Sequence, residues 1–298
     1  MLNRQNFFLY IYKKAKKNLG GHEILSKFPF LRPLNNFIIS QAKTKFAIIE
    51  GHKMFLDQHD TLKLSTNGIF EPFETNLVKK AVRKGSVVLD IGANIGYYTL
   101  IFAKLVGEQG KVFAFEPEPF NFKLLKKNVE INNYQNVILQ NSAVSNNNGK
   151  TKLYLSQEQS GTHRIFPSHI CSNNYVEVEM VRLDDYFKKN VLAEKISFIK
   201  IDVEGAELGV LKGMKSLLEL NKKLEILIEF IPPYIKEFGA NPIDVLSLLE
   251  NYNFKIHLIN YKTQKIEEVR DKNILLKKYD SLRKEERPVV TNLLCTRN

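Results

Sequence analysis

The residues of this chain that could do chemistry are carboxylates placed at the ends of apolar runs. Val87-Val88-Leu89 leads into Asp90, and Gly92, Asn94 and Gly96 then crowd a tight turn. A buried strand that feeds a glycine turn and then a helix brings backbone N–H groups and the positive end of a helix up to a ligand. The spacing is D-x-G-x-N-x-G and not the G-x-G-x-x-G of dinucleotide sites. A carboxylate ahead of the first glycine is poor company for a pyrophosphate. It suits a cationic or amine-bearing ligand.

Further polar residues fall at corresponding places. Glu116 follows the run Lys111–Phe115 and lies 26 residues after Asp90, where an acid hydrogen-bonds a ribose diol; Pro117 comes next. Asn141-Ser142-Ala143 follows Asn136–Gln140 and could read an adenine edge. Ile196–Ile201 ends in Asp202-Val203-Glu204-Gly205-Ala206-Glu207. Glu74 and Thr75 open a helix expected over Glu71–Arg83, either near the ligand cleft or as surface caps.

The elements that must position these residues alternate. Helices are expected over Tyr97–Val106, after Pro117, along a single face carrying Leu208, Leu211, Met214 and Leu218, and over Pro242–Asn251. Strands are expected at Leu224–Phe230, Phe254–Ile259 and Val289–Cys295, with Thr151–Leu155 and Val176–Leu183 as inserted edge hairpin strands. Such a rhythm predicts a mostly parallel sheet covered on both faces, with ligands at the carboxyl ends of its strands. Upstream, Phe46–Ile49, Met54–Leu56 and Leu62–Leu64 suggest a small antiparallel element with Asn67-Gly68 as a turn.

Composition bounds the rest. Of the net charge of +12, residues 1–50 hold nine basic against two acidic side chains, so the basicity belongs mostly to an appendage. The body is expected over 66–298 and the basic appendage over 1–65. Phe7–Lys17 reads as a helix packed on the body, with contact to an anionic membrane surface as the alternative. No apolar run of about 18 residues exists to span a membrane, and the lysines are too local for a nucleic-acid face. Cys171 and Cys295 have neither disulfide-framework nor metal-ligand spacing, which points to idle thiols in a reducing compartment, the cytoplasm.

Taken together, EPFET at 71–75, DIGANIGYYTL at 90–100, FEPEPFNFKLLKKNVEIN at 115–132, SGTHRI at 160–165 and IDVEGAE at 201–207 resemble the FkbM family of S-adenosylmethionine-dependent methyltransferases. The resemblance covers residues 65 to 260. It implies a class I methyltransferase fold, a Rossmann-like three-layer sandwich with seven strands in the order 3-2-1-4-5-7-6, carrying an N-terminal helical/β appendage. It also implies methylation of a hydroxyl, on a glycan, glycolipid or secondary-metabolite acceptor. Cofactor contacts then fall on Glu74, Asp90, Gly92, Asn94, Gly96, Glu116, Pro117, Asn141, Ser142, Ala143 and Asp202.

A neutral alcohol is a poor nucleophile, so a base is needed. Asp202 is the first candidate. His163 offers an imidazole, and Glu204 a carboxylate that could instead cap the following helix. Asp202 and Glu229 alone are too few to assign a metal. Ile231-Pro232-Pro233-Tyr234 looks similar to the motif of amine-directed nucleic-acid methylases, but follows the wrong strand and begins with an apolar residue. A non-catalytic cofactor-binding module and an RNA-directed methyltransferase are the alternatives.

Overall fold

The structure is a computed structural model that describes residues 45–156, 161–167, 174–261, 263–282 and 291–297. The basic stretch 7–17, Ser160 and Cys171 lie outside them. The described residues form two compact units, 45–71 and 72–297.

In the first unit β1 (Phe46–Ile49) and β2 (His52–Phe55) pair antiparallel, with Phe46 opposite Phe55. Glu50 and Gly51 turn the hairpin with φ of 52° and 84°, the left-handed pair that tight hairpins favour. The third extended segment expected at Leu62–Leu64 is not a strand. Lys63 is left-handed at φ 54° and Leu64–Asn67 forms one helical turn. Asp60 is the cause: its Oδ1 accepts from the Leu64 and Ser65 amides at 2.8 and 3.3 Å, a cap that starts a helix. Asn67-Gly68 therefore closes a helix and turns no hairpin.

The second unit carries β3 (Val87–Ile91), β4 (Lys111–Phe115), β5 (Val137–Gln140), β6 (Ala143–Val144), β7 (Gly149–Tyr154), β8 (Tyr175–Val181), β9 (Ile196–Ile201), β10 (Glu225–Glu229), β11 (Lys255–Asn260), β12 (Lys265–Glu268) and β13 (Asn292–Thr296). One sheet has the order β5-β4-β3-β9-β10-β13-β11-β12. Its pairs from β5 to β10 are parallel, and β13 runs antiparallel to both neighbours. With the inserted strands set aside, this is the class I order 3-2-1-4-5-7-6, extended by an eighth strand, β12. Every residue of β3 is buried, as expected of a strand covered on both faces, and burial fades to the fully exposed β12. That exposure is why β12 has no apolar alternation to betray it.

The inserted segments do not join the main sheet. They form a separate sheet, β6-β8-β7, with its own small core of Ala143, Leu153 and Val178.

The helix expected from Leu208 to Leu218 breaks into Glu207–Lys212 and Lys215–Leu220 at Gly213. A Cβ on Gly213 would lie 2.1 Å from the Ser145 carbonyl, and the Gly213 carbonyl accepts from the Asp184 amide at 2.9 Å. Asp184 Oδ1 then captures the Ser216 amide and starts the second helix. Leu208, Leu211, Met214 and Leu218 all still reach the core, because the bend keeps one face inward. Among the described residues no helix is long and apolar enough to cross a membrane.

Candidate active site

The carboxyl ends of β3, β4 and β9 are stitched together before any ligand is considered. The Gly92 and Ala93 amides both donate to the Phe115 carbonyl at 3.0 Å, and the Asp202 amide donates to Ile91 at 3.0 Å. Gly92 has φ 82°, and a Cβ there would sit 1.8 Å from the Asp202 carbonyl oxygen. A Cβ on Gly96, at φ 95°, would lie 2.7 Å from the Leu125 side chain. Both glycines therefore make room for protein. The amides of the turn are spent inside the protein as well, Asn94 N–H on Glu116, Ile95 N–H on the Asn94 side chain at 2.7 Å and Gly96 N–H on the Ala93 carbonyl at 2.9 Å. The turn, with Asn94 left-handed at φ 51°, therefore does not offer the free N–H groups expected of it.

Asp90 is 1% exposed. Its Oδ2 accepts from the Thr99 hydroxyl, while Oδ1 has no hydrogen-bond partner among the described residues. Burial pushes this carboxyl up to about 6 against the pull of Lys200. Glu116 accepts from the Asn94 amide at 2.8 Å and the Glu118 amide at 2.9 Å, yet burial raises it to about 8. Asn141 donates to the Glu116 and Pro117 carbonyls at 2.8 and 3.1 Å, so its amide group fixes the segment after β4. Ser142 is buried and Ala143 opens β6, opposite Met180. Glu74 is fully buried and accepts from Asn292 at 3.3 Å; Asn292 sits opposite Glu229 on β13.

The turn after β9 gathers more charge than its sequence suggested. Carboxylate oxygens of Asp202, Glu204 and Glu229 lie within 4.8 Å of one another. A divalent cation could bridge such a group, but two protein cations already stand there. Lys200 Nζ donates to Asp202 at 2.7 Å, and Arg164 Nη2 lies 3.7 Å from Glu204. Burial, then repulsion from Asp202, raises the Glu204 pKa, and Arg164 opposes the rise. Glu207 is raised to about 7, chiefly by burial, while its Oε1 accepts from the Gly205 amide at 3.0 Å. Glu204 is also left-handed at φ 55°, a conformation that costs a non-glycine residue energy and recurs at functional sites.

His163 behaves differently. Its Nδ1 accepts from the Ser156 amide at 3.0 Å, burial lowers its pKa, and the charge that acts on it is Glu118. The neighbouring Arg164 reaches the carboxylates instead. Tyr234, in the helix Pro232–Glu237, stacks on Arg164 with the guanidinium carbon 3.6 Å from the ring centroid. That ring is therefore committed to packing.

Sequence reading missed Lys200 and Arg164. A lone lysine inside the apolar strand Ile196–Ile201 was the available signal for the first. For the second it was an arginine inside a motif block, read past in favour of the histidine beside it.

The "Methyltransferase FkbM domain" profile matches residues 90–256, more than half of the chain. "Methyltransferase sdnD" of Sordaria araneosa is 30% identical over 57% of this chain and 73% of its own length. "Hexuronic acid methyltransferase AglP" of Haloferax volcanii is 28% identical over 58% and 65%, respectively. "31-O-demethyl-FK506 methyltransferase FkbM" of Streptomyces tacrolimicus is 29% identical over 45% and 61%. The chain thus spans less than two thirds of the last two relatives. The profile match and the strand order agree, and the chain belongs to the FkbM family of S-adenosylmethionine-dependent methyltransferases.

Proposed function

We propose that the protein is an O-methyltransferase whose acceptor is a hydroxyl of a glycan, glycolipid or secondary metabolite. The observation that carries this reading is the Asp90 carboxylate, buried at a strand end with one oxygen lacking a partner among the described residues. A buried, unpaired acceptor of this kind is costly unless a ligand completes it. An ammonium group fits it better than a phosphate would. Glu116, buried and held among the described residues by two amides, has lone pairs left for ribose hydroxyls. The Gly92–Gly96 turn, Pro117, Asn141, Ser142, Ala143 and Glu74 complete the cofactor side of this reading.

When bound, S-adenosylmethionine supplies a methyl group already activated by its cationic sulfur. The chain then has to orient the acceptor hydroxyl and take its proton. Glu204 is the base we favour, because its raised pKa suits proton transfer near neutrality; Asp202, tied to Lys200, is the second choice. The Haloferax relative is named for a hexuronic acid and the Streptomyces relative for an oxygen of FK506, which supports an oxygen acceptor.

Calorimetric titration with S-adenosylhomocysteine, with NAD as control, tests the reading. Micromolar binding that is lost in Asp90→Ala and Glu116→Ala supports it. No binding by folded protein overturns it.

A further inference from the structure

Arg164 is 1% exposed, and among the described residues it heads the fully buried side chains by volume. Its backbone is fixed from one side: Arg164 and Tyr154 exchange amide-to-carbonyl bonds of 3.1 and 2.7 Å, which anchors it to β7 of the separate sheet. Its guanidinium is fixed from the other. Nη1 lies 2.6 Å from Glu237 Oε2, Nη2 lies 3.7 Å from Glu204 Oε2, and Tyr234 stacks on the plane. The turn carrying Glu204 presses on the same helix, since a Cβ on Gly205 would meet the Tyr234 carbonyl oxygen at 2.7 Å. One side chain thus joins the inserted sheet, the turn after β9 and the helix after β10.

The charges facing Glu204 give this joint a chemical meaning. Its own turn supplies Asp202 and Glu207, and β10 supplies Glu229. The helix after β10 supplies Tyr234 and Glu237, β9 supplies Lys200, which is spent on Asp202, and the insertion supplies Arg164. Arg164 is the cation that acts on Glu204 directly. Without it, Glu204 would be a carboxylate among carboxylates, in a site largely screened from water.

We propose that Arg164 is a positioning residue of the transfer site: delivered by the inserted sheet, it clamps the Asp202–Glu207 turn to the Pro232–Glu237 helix and holds the Glu204 carboxyl group aimed. The proposal rests on the methyltransferase reading, in which Glu204 takes the acceptor's proton. Arginine suits the task because its planar fork serves two carboxylates while its face stacks on tyrosine, and a lysine can do only one of these.

The test is a carboxyl ¹³C NMR titration of glutamate-labelled protein, with the Glu204 signal identified by its absence in Glu204→Gln. In Arg164→Gln the Glu204 midpoint is expected to rise by at least one pH unit; an unchanged midpoint in folded Arg164→Gln overturns the proposal. If that variant does not fold, wild-type protein decides. The Arg164 guanidinium ¹⁵N signals should move with the Glu204 midpoint and lose that step in Glu204→Gln, and signals that ignore Glu204 overturn the proposal. S-adenosylhomocysteine titrations on the same samples separate the two ideas. Binding with an uncoupled Arg164 sinks the positioning role alone. Absence of binding in folded wild type sinks the transfer site and this role with it.

Discussion

The carbonyl oxygen of Asp202 occupies the space that a side chain on Gly92 would need, 1.8 Å from its Cβ position. Two strand ends that carry the chemistry are thereby locked to each other through one missing methyl group. Gly92→Ala must move backbone and also strain a φ of 82°. It should cost more than about 3 kcal/mol, the range of severe backbone and overpacking effects. Gly85→Ala, with φ 80° but open space, should cost only about 1–2 kcal/mol for the left-handed backbone. Denaturant melts of the two variants check the contrast.

Asp90→Asn keeps the shape and the Thr99 contact but removes the charge. Its affinity for S-adenosylhomocysteine should drop at least tenfold, roughly the loss of one charge-assisted hydrogen bond. Melting should change little or improve, since a buried carboxylate with an orphan oxygen is removed. Calorimetry and melting on one preparation read both effects.

Stability should depend on pH in the direction opposite to that of proteins held by salt-bridged acids. Burial raises Asp90, Glu116 and Glu207 to about 6, 8 and 7, above their ordinary 3.8, 4.5 and 4.5. The native state then holds protons that the unfolded chain has already released. Ligand-free stability therefore falls as pH rises from about 4 to about 8, and levels off beyond. His163, lowered by burial from 6.5, adds an opposing rise near its own titration. Melting temperatures at pH 5.5 and 8.5 should show the higher value at 5.5, and Glu116→Gln should flatten the difference.

The choice of base separates cleanly. Glu204→Gln should slow methyl transfer by about 10²–10⁴-fold, the usual worth of a positioned base, while leaving S-adenosylhomocysteine binding intact. His163→Gln should change turnover little, because its Nδ1 is already occupied by the Ser156 amide. Transfer of labelled methyl groups to a panel of hydroxylated acceptors measures both.

Metal dependence is the fourth question the carboxylates raise. Lys200 and Arg164 already hold Asp202 and Glu204, so a divalent ion would have to displace a protein cation. Chelator or added magnesium should then change S-adenosylhomocysteine affinity by less than twofold, and a larger effect by calorimetry would assign Asp202, Glu204 and Glu229 to a metal.

How much of this was legible in the sequence depended on whether the signal was local. Tyr97–Val106 and Pro242–Asn251 form the helices expected over those residues. Asp90, Glu116 and Asp202 were readable because each ends an apolar run. The break at Gly213 was not, since it answers to Ser145 and Asp184, residues distant along the chain. Arg164 was hidden for the same reason: its partners Glu204 and Glu237 lie 40 and 73 residues further on. Leu62–Leu64 misled because alternation over three residues is weaker than one well-placed aspartate cap.

The eighth strand has a consequence for the protein's life among its own copies. Among the described residues Lys265-Ile266-Glu267-Glu268 is an edge of the sheet, and an exposed edge strand is a natural docking rail for another chain. Three of its four side chains are charged, the strand is short, and Glu268 meets Arg270 at 3.5 Å just past its end. A neighbour adding itself there would bury those charges against its own backbone. Charge and shortness at this edge thus disfavour growth of the sheet by added copies of the chain.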